Sequence, residues 1–352
     1  MKKIEISNFV VGKRILITGH TGFVGAWLCA YLYYFGARLY GFSLPEETGS
    51  LYFKIKNKIK VKDYYGDITS KSEIEDCIQE CKPEIIIHNA AFVFILKCEK
   101  DPIRTFSTNV MGTVNLLEAI RNSDSVRYLI GVSSDKVYKN DDKESMLFTE
   151  NNVLLNGGDP YSCSKTCQDL IIQSYYETYF KNKAVGVALF RPSNMIGGGD
   201  YHKIRLIPSI IESVKNNVKL ELRNPNAVRP WQDILDVMDA YMTVLLSGWN
   251  EGKLKIYNLG PKPENVCSVA EIVHMIDCLK DKNGALDVVE NHKKNIEKQY
   301  LGLSIEKIIG QENWVPQKLL YDSIKDLYDF YARDNGENTY QLMISNIEDY
   351  YR

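Results

Sequence analysis

The sequence predicts an α/β fold with a doubly wound parallel sheet, and three observations support this prediction. Residues 15–17 and 85–87 are short, continuous apolar runs, as expected for parallel strands that are buried on both faces. Runs of this kind alternate with helix-like segments through the first half of the chain. A glycine-rich turn at residues 19–25 follows the first strand and precedes a helix, as in Rossmann-type folds.

The order of the elements predicts two interleaved domains. Strands are expected near residues 14–18, 38–43, 61–65, 84–88, 127–132 and 184–190, and helices near 23–35, 71–81, 102–122 and 160–180. Beyond residue 192 the elements become shorter, with loops at 197–200 and 223–226, a helix over 233–249 and a strand over 255–259. We expect a nucleotide-binding domain formed by residues 1–190 and 233–262. A smaller C-terminal domain, formed by residues 191–232 and 263–352, is expected to bind the substrate.

The composition is that of an ordinary soluble globular protein. The 352 residues are 45% hydrophobic and 25% charged, and the formal net charge is −2. This charge does not indicate a nucleic-acid-binding surface, and no apolar run approaches the ~18 residues that a membrane-spanning helix needs. Residues 1–5 lack the core of a signal peptide. We therefore expect a cytoplasmic protein that binds neither nucleic acid nor a membrane.

The cysteines and histidines do not predict a metal site. The eight cysteines are scattered, and the two close pairs, Cys77/Cys81 and Cys163/Cys167, have a helical spacing and not that of a zinc site. The five histidines form no cluster of ligands in the sequence. We expect the cysteines to be reduced and mostly buried.

The glycine-rich turn predicts a dinucleotide-binding site. Its glycines permit a tight turn, close approach of the backbone to a pyrophosphate, and packing of the next helix on the strand. The N-terminus of that helix offers free N–H groups to an anion. Small residues end another strand at positions 90–91 and leave room for a ligand, although an ordinary strand–turn–helix joint is the alternative interpretation. The expected binding residues in the turn are Gly19, Thr21, Gly22, Phe23, Val24 and Gly25.

A tyrosine and a lysine form the candidate catalytic pair. Tyr161 and Lys165 are four residues apart at the start of a predicted helix, so they share one helix face. A nearby ammonium group lowers the pKa of a phenol and makes it a usable base. Tyr179 and Lys183 have the same spacing, for which no function is expected. The pair at 161 and 165 is distinguished by the preceding strand, which ends in the polar segment 133–136.

These motifs together resemble the extended short-chain dehydrogenase/reductase superfamily over roughly residues 12–275. That superfamily has the glycine-rich turn, a Ser or Thr at the end of a central strand, and a Tyr-x-x-x-Lys pair, in this order. Within it the chain is most similar to the CDP-glucose 4,6-dehydratases. The matching segments are residues 19–23, 101–102, 108–115, 134–136, 159–162, 194–200, 205–208, 223–225 and 229–232.

The resemblance implies NAD as the cofactor and a nucleotide sugar as the substrate. The family's adenine-side motif is matched by Asp67 and Ile68. Further NAD-binding residues implied by the resemblance are Ala90, Ala91, Asn109, Tyr161 and Lys165. The catalytic residues implied by it are Ser134, Asp135, Lys136, Tyr161 and Lys165.

The implied reaction explains why an acid and a base are adjacent. Tyr161 removes the proton of the sugar 4-hydroxyl while hydride leaves carbon 4 for NAD, and the resulting ketone acidifies the proton on carbon 5. Lys136 is the expected base for that proton, and Asp135 is the expected acid for the departing 6-hydroxyl. Hydride then returns to carbon 6. The alternative for the dipeptide at 135–136 is a solvated turn.

The second half of the chain supplies the expected substrate-binding residues. Arginine side chains suit pyrophosphate oxygens, and the resemblance implies that Asn194 and Arg229 contact the substrate phosphates. The sequence departs from the family at residues 92–100, which are largely apolar where polar and basic residues are usual. The residues expected to bind the substrate are Asn194, Arg205, Arg223 and Arg229.

Two other functions are compatible with the motifs. A nucleotide-sugar 4-epimerase or carbon-4 dehydrogenase needs Tyr161 and Lys165 but not both Asp135 and Lys136. A non-catalytic nucleotide-binding regulatory protein is a more remote alternative, which the complete set of Ser134, Tyr161 and Lys165 disfavours. The predicted helices at 102–122 and 160–180 resemble those that form four-helix dimer interfaces in the superfamily, so we expect a homodimer or a higher homo-oligomer.

Overall fold

The structure is a computed structural model that describes residues 2–140, 147–152, 157–202, 204–216, 218–222, 224–280, 288–290 and 299–352. The strands are β1 (Arg14–Thr18), β2 (Arg38–Ser43), β3 (Val61–Tyr65), β4 (Ile85–His88), β5 (Tyr128–Val132), β6 (Leu147–Phe148), β7 (Gly186–Pro192), β8 (Asn194–Ile196), β9 (Leu220–Leu222), β10 (Val228–Asp233), β11 (Leu254–Leu259), β12 (Val266–Ser268), β13 (Val288–Glu290) and β14 (Gly302–Leu303). The helices are α1 (Lys2–Val10), α2 (Phe23–Tyr34), α3 (Leu51–Ile55), α4 (Lys71–Cys81), α5 (Ile95–Lys100), α6 (Pro102–Phe106), α7 (Gly112–Arg121), α8 (Pro160–Tyr175), α9 (Leu206–Asn216), α10 (Ile234–Gly248), α11 (Val269–Lys280), α12 (Glu306–Glu312), α13 (Leu320–Arg333) and α14 (Thr339–Tyr350).

The main sheet confirms the predicted doubly wound fold. Within the described residues it has seven strands in the order β3-β2-β1-β4-β5-β7-β11, and every neighbouring pair is parallel. The strand order reverses between β1 and β4. From this point β2 and β3 follow on one side of the sheet, and β5, β7 and β11 follow on the other. A ligand crevice forms at such a reversal, beyond the carboxyl ends of the strands.

Each face of the main sheet has its own hydrophobic core. Ile15, Ile17 and the other apolar residues of that face pack with α2, α10 and α14. Leu16 and Ile86 point to the opposite face and pack with α4 and α7. The strands β1 and β4 therefore bury residues on both sides, which explains their continuous apolar sequences.

A second group of elements forms a separate core. β8, β10 and β12 form a small sheet, and apolar residues of α9, α11 and α13 pack beside it. α10 and β11 return to the main sheet, where β11 pairs with β7. The last helix, α14, also packs against α2, through residues such as Met343 and Ile347. The division into residues 1–190 with 233–262 and residues 191–232 with 263–352 remains a prediction.

Two long helices differ from the sequence expectation by containing wide turns. The predicted helix 102–122 consists of α6, a π-helical segment at Ser107–Met111, and α7. The predicted helix 160–180 consists of α8 followed by a π-helical segment at Tyr176–Phe180. Such segments often occur at functional sites because the extra residue changes the direction of the side chains. Among the described residues, no helix is long and apolar enough to cross a membrane.

Candidate active site

A cleft of about 940 Å³ lies between the carboxyl ends of the main strands and the loops of the second group of elements. Most of the residues predicted to bind or react line this cleft. They are Gly19, Thr21, Gly22, Phe23, Val24, Asp67, Ile68, Ala90, Ala91, Ser134, Asp135, Lys136, Tyr161, Lys165, Asn194, Arg205 and Arg229. Arg223 lies outside the described residues. In the described part of the chain, no group of three or more His, Cys, Asp or Glu side chains is placed to hold a metal ion.

The glycine-rich turn has the geometry that a pyrophosphate requires. Gly19 has φ +71°, and a Cβ atom there would lie 2.8 Å from the Cα of Ala90. A Cβ atom at Gly25 would lie 2.2 Å from the Gly19 carbonyl oxygen, so Gly25 lets α2 pack on the turn instead of lining the cleft. Gly22 precedes the first residue of α2, whose N-terminal N–H groups face the cleft side. The backbone of this turn therefore fits a dinucleotide.

The part of the cleft where the adenosine is expected to bind is lined by hydroxyl and carboxylate groups. The Thr21 hydroxyl contacts the Ser43 hydroxyl at 2.8 Å, at the end of β2. The Asp67 carboxylate accepts hydrogen bonds from the backbone and the side chain of Thr69, which fixes this turn. Ile68 is buried, and its carbonyl oxygen accepts a hydrogen bond from the Asn115 amide. This side of the cleft is thus held in shape by the helix that follows the π-helical segment.

Asn109 has a different position from that expected of a cofactor-binding residue. It is fully buried in the π-helical segment, behind the residues that line the cleft. Its side-chain oxygen accepts a hydrogen bond from the Phe92 N–H at 2.7 Å, and its amide group donates to the Phe92 carbonyl and the Ser164 hydroxyl. Asn109 therefore links the loop after β4 to α8.

The segment after β5 brings an acid and an amine into the cleft. The Ser134 hydroxyl donates to Asp135 Oδ1 at 3.1 Å, and the Lys136 Nζ lies 3.7 Å from the same oxygen. Asp135 is buried, with 3% of its surface exposed. Among the described residues, Asp135 Oδ2 and the neighbouring Ser133 Oγ have no hydrogen-bond partner. Buried polar groups without a partner are costly, so these two atoms mark where a bound ligand gains hydrogen bonds.

The tyrosine–lysine pair lies at the start of α8. Asp159 caps this helix by accepting a hydrogen bond from the Ser162 N–H, which places Tyr161 and Lys165 on the face toward the cleft. Lys165 Nζ donates to the Val132 carbonyl at 2.8 Å and to Gln168 Oε1 at 2.6 Å. Burial lowers the pKa of Lys165 to about 7.

The expected lowering of the Tyr161 pKa by Lys165 is not observed in this structure. Burial raises the pKa of the Tyr161 phenol, and the charge of Asp135 acts in the same direction. The hydrogen bond with Ser134 has the opposite effect but does not outweigh burial. The physical reason is that the Lys165 ammonium is engaged by Val132 and Gln168, while the phenol lies in a desolvated part of the cleft.

The part of the cleft that contains Arg205 also contains an aromatic cluster that the sequence interpretation did not identify. The rings of Phe94 and His202 have centroids 4.0 Å apart, which joins the loop after β4 to the loop after β8. The Arg205 guanidinium lies 5.5 Å from the Phe94 ring and pairs with Asp200 at 3.1 Å. The signal in the sequence was the unusual apolar segment 92–96. Its partner residues lie too far along the chain for spacing to reveal them.

The comparisons with known proteins agree with this geometry. Residues 15–260 match the NAD dependent epimerase/dehydratase family. The chain belongs to this family. It is 35% identical to the CDP-glucose 4,6-dehydratase of Salmonella typhimurium, over 97% of this chain and 97% of that protein. The protein is accordingly related to nucleotide-sugar dehydratases and epimerases over nearly its whole length.

Solved structures support the same fold. The dTDP-glucose 4,6-dehydratase of Bacillus anthracis in complex with NAD has a TM-score of 0.76 and 26% identity, covering 92% of this chain and 98% of that one. An epimerase of Methanothermobacter thermautotrophicus has a TM-score of 0.79 and 21% identity, covering 98% of both chains. NAD is the cofactor of the family, and the glycine-rich turn described above fits it.

Proposed function

We propose that this protein is an NAD-dependent nucleotide-sugar 4,6-dehydratase that acts on CDP-glucose. The observation that carries the proposal is the grouping of Asp135 and Lys136 with Tyr161 and Lys165 at one end of a cleft. Oxidation at carbon 4 needs the second pair together with Ser134, whereas loss of water needs a further acid and base. The similarity to the CDP-glucose 4,6-dehydratase of Salmonella typhimurium supports the nucleotide and the sugar.

Oxidation of the sugar is assigned to Ser134, Tyr161 and Lys165. Tyr161 takes the proton of the 4-hydroxyl, and Ser134 holds that hydroxyl through its own hydrogen-bonding oxygen. Lys165 is assigned to supply the positive charge that favours the phenolate form of Tyr161, which is the form that accepts a proton. The glycine-rich turn would hold NAD, which would supply the hydride acceptor for carbon 4 and the hydride donor for carbon 6.

Elimination of water is assigned to Asp135 and Lys136. Once carbon 4 is a ketone, the proton on carbon 5 is acidic, and Lys136 in its amine form removes it. Asp135 in its acid form protonates the departing 6-hydroxyl, and Asp135 Oδ2 is the buried oxygen with no partner among the described residues. As hydride reaches carbon 6, Lys136 returns a proton to carbon 5. The proton that Tyr161 took from the 4-hydroxyl then passes to Asp135 through the Ser134 hydroxyl, which hydrogen-bonds with both residues, and the starting state is restored.

The test is an incubation of the purified protein with CDP-, dTDP-, UDP- and GDP-glucose, followed by mass spectrometry. The proposal expects a product lighter by one water from CDP-glucose, formed faster than from the other three. An epimerase would leave every mass unchanged but convert glucose to its 4-epimer, detectable by NMR. A carbon-4 dehydrogenase would instead accumulate NADH in proportion to the oxidised sugar. If none of the four nucleotide sugars reacts, the regulatory alternative is favoured.

We also propose a cytoplasmic homodimer that makes a deoxysugar for polysaccharide synthesis. Its dimer interface would use the outer faces of α6, the π-helical segment that follows it and α8, where Ile103, Met111 and Leu170 are 79%, 52% and 50% exposed. The eight cysteines are free, as in a reducing compartment. In sedimentation velocity experiments, we expect a dimer that Leu170→Glu converts to a monomer. A Leu319→Glu variant, which changes an equally exposed leucine elsewhere, is the control.

A further inference from the structure

A buried chain of hydrogen bonds runs from the candidate active site into the main sheet. It begins at Lys165 Nζ, which donates to Gln168 Oε1 at 2.6 Å. Gln168 Nε2 donates to Thr113 Oγ1 at 3.2 Å, and His88 Nε2 contacts the same hydroxyl at 2.9 Å. His88 Nδ1 lies 2.9 Å from Thr18 Oγ1. Gln168, Thr113, His88 and Thr18 are all fully buried, so water does not compete for these contacts.

The direction of every bond in the chain is determined by Thr113. Its hydroxyl donates to the Asn109 carbonyl at 2.7 Å, so the same oxygen accepts from both Gln168 and His88. The Gln168 amide must therefore present its oxygen, and not its nitrogen, to Lys165. His88 carries its proton on Nε2, and its Nδ1 accepts from the Thr18 hydroxyl. Burial lowers the pKa of His88 to about 3, in agreement with a neutral ring.

This arrangement limits where the Lys165 ammonium can point. An ammonium group has three N–H donors. The Val132 carbonyl and the amide oxygen of the fully buried Gln168 accept two of them. The third donor is left on the side of the cleft, which Lys165 lines.

We propose that Gln168 is a positioning residue for the reaction, a neutral acceptor that Thr113 and His88 orient so that it fixes the direction and the charge state of Lys165. The inference rests on the function proposed for Lys165. The neutrality of Gln168 is what distinguishes it from a carboxylate, which would hold the ammonium equally well but as a permanent ion pair. With an amide in this place, burial is able to lower the pKa of Lys165 to about 7.

The other charged groups around Lys165 do not replace this control. Asp169 on the same helix raises the pKa of Lys165, but its carboxylate is held by two bonds from Arg191 on β7. His88 on β4 is neutral, as described above. Tyr161 on α8 and Asp135 after β5 face the cleft end of the lysine and not its core side. Gln168 is therefore the place where one substitution changes the charge next to Nζ directly.

The test uses two substitutions at position 168 with opposite expected effects. Gln168→Glu adds a negative charge at the acceptor and should raise the pKa of Lys165 by at least about one pH unit. Gln168→Met keeps the volume but removes the acceptor, and should lower that pKa. The measurement is the pH titration of the Cε signal in lysine-labelled protein by NMR, assigned with Lys165→Arg. In the unsubstituted protein we expect a midpoint near 7.

Two further variants serve as a control and as a second route. Gln79→Glu makes the same substitution on the exposed face of α4 and should leave the midpoint unchanged. Thr113→Val keeps the Gln168 amide but removes the hydroxyl that orients it, so the Lys165 midpoint should fall. This variant provides a test if Gln168→Glu does not fold. The alkaline limb of the kcat–pH profile should move with the NMR midpoint, to higher pH for Gln168→Glu and to lower pH for Gln168→Met. KM for the nucleotide sugar should stay within about twofold of its value in the unsubstituted protein.

Equal shifts in the same direction for Gln168→Glu and Gln168→Met, or no shift for either, would overturn the inference. The proposed function fails separately. If Lys165→Ala retains turnover while the NMR midpoint still responds to residue 168, the role given to Lys165 is wrong although its contact with Gln168 is real.

Discussion

α8 and α10 both carry ionisable side chains into the interior, but to different ends. On α8, Tyr161 and Lys165 reach the cleft. On α10, Asp236 and Asp239 are buried away from it and accept hydrogen bonds from distant parts of the chain. Asp239 is bonded by three such donors, which come from Lys2, Trp314 and Tyr351.

The difference shows that a shifted pKa is evidence of burial and does not by itself identify a catalytic residue. Burial lowers the pKa of Lys165 and raises the pKa of Asp236. In both cases burial disfavours the charged form of the side chain. Only the first lies beside a cleft with further unpaired polar atoms. The carboxylates of α10 instead hold the N-terminal and C-terminal segments against the main sheet. We therefore expect changes on α8 to affect catalysis and changes on α10 to affect stability.

The largest expected effect is that of Tyr161→Phe. Removing the phenol oxygen deletes the base while keeping the ring, so turnover should fall at least ~100-fold. The urea midpoint should stay the same, since the ring packing is retained. The control is Tyr179→Phe. Tyr179 is exposed, and it stands four residues before Lys183, as Tyr161 stands before Lys165. Near-normal turnover of Tyr161→Phe would show that the base is elsewhere.

Lys136→Ala should separate the two halves of the reaction. Oxidation at carbon 4 needs only the α8 pair with Ser134, so hydride should still reach NAD. Water should not leave, and overall turnover should fall about 100-fold. In a single-turnover experiment the NADH absorbance should rise and persist, and solvent deuterium should no longer enter carbon 5. Normal product release by this variant would contradict the assignment of Lys136 as the base.

Asp239→Ala should lower stability and leave catalysis unchanged, which is the reverse of the effect expected on α8. Its removal leaves the buried Trp314 N–H without an acceptor and takes one acceptor from the hydrogen-bonded hydroxyls of Tyr31 and Tyr351, which should cost about 2–4 kcal/mol of unfolding free energy. Turnover per folded molecule should not change. Lys2→Met is the matched control, because Lys2 is 33% exposed and its ion pair with Asp239 should contribute below ~1 kcal/mol. A catalytic defect without a loss of stability would remove the distinction between the two helices.

The smallest effect concerns His88 and pH. The pKa of His88 is lowered from 6.5 to about 3, so between these values the unfolded chain binds a proton that the folded chain does not. The stability due to a neutral His88 is therefore present above pH 6.5 and is lost as the pH falls. In urea titrations, His88→Asn should show a shallower loss of stability on acidification than the unsubstituted protein. His274→Asn, on the exposed face of α11, should not change the slope.

The sequence predicted the first half of the fold because its signals are local. β1 and β4 are buried on both faces, so they are apolar throughout, and the glycines at 19 and 25 are required by contacts within a few ångströms. The helix α1 was not predicted, since its packing depends on α10, which is far away in the chain. The π-helical turns were also missed, because the spacing of apolar residues does not distinguish one wide turn from a regular one.

The site was predictable where a motif encodes it and not where long-range packing does. Ser134, Tyr161 and Lys165 lie in short patterns with a defined chemistry. Gln168 has no such pattern, and its role depends on Thr113 and His88 from other elements. The pairing of Phe94 with His202 likewise depends on the approach of two loops.

The path of the chain between its two groups of elements limits how the protein can be divided. The chain leaves the main sheet after β7, returns at α10 and β11, and leaves again before β12. The apolar core beside β8, β10 and β12 lies within residues 196–331, but α10 and β11 belong to the same stretch and pack in the core of the main sheet. Removing that stretch as one piece would therefore remove part of the main sheet as well. Insertions or exchanges between β7 and α10, by contrast, alter loops that line the cleft without interrupting a strand of the main sheet. A change in this stretch therefore reshapes one wall of the cleft while the glycine-rich turn and the main sheet stay as they are.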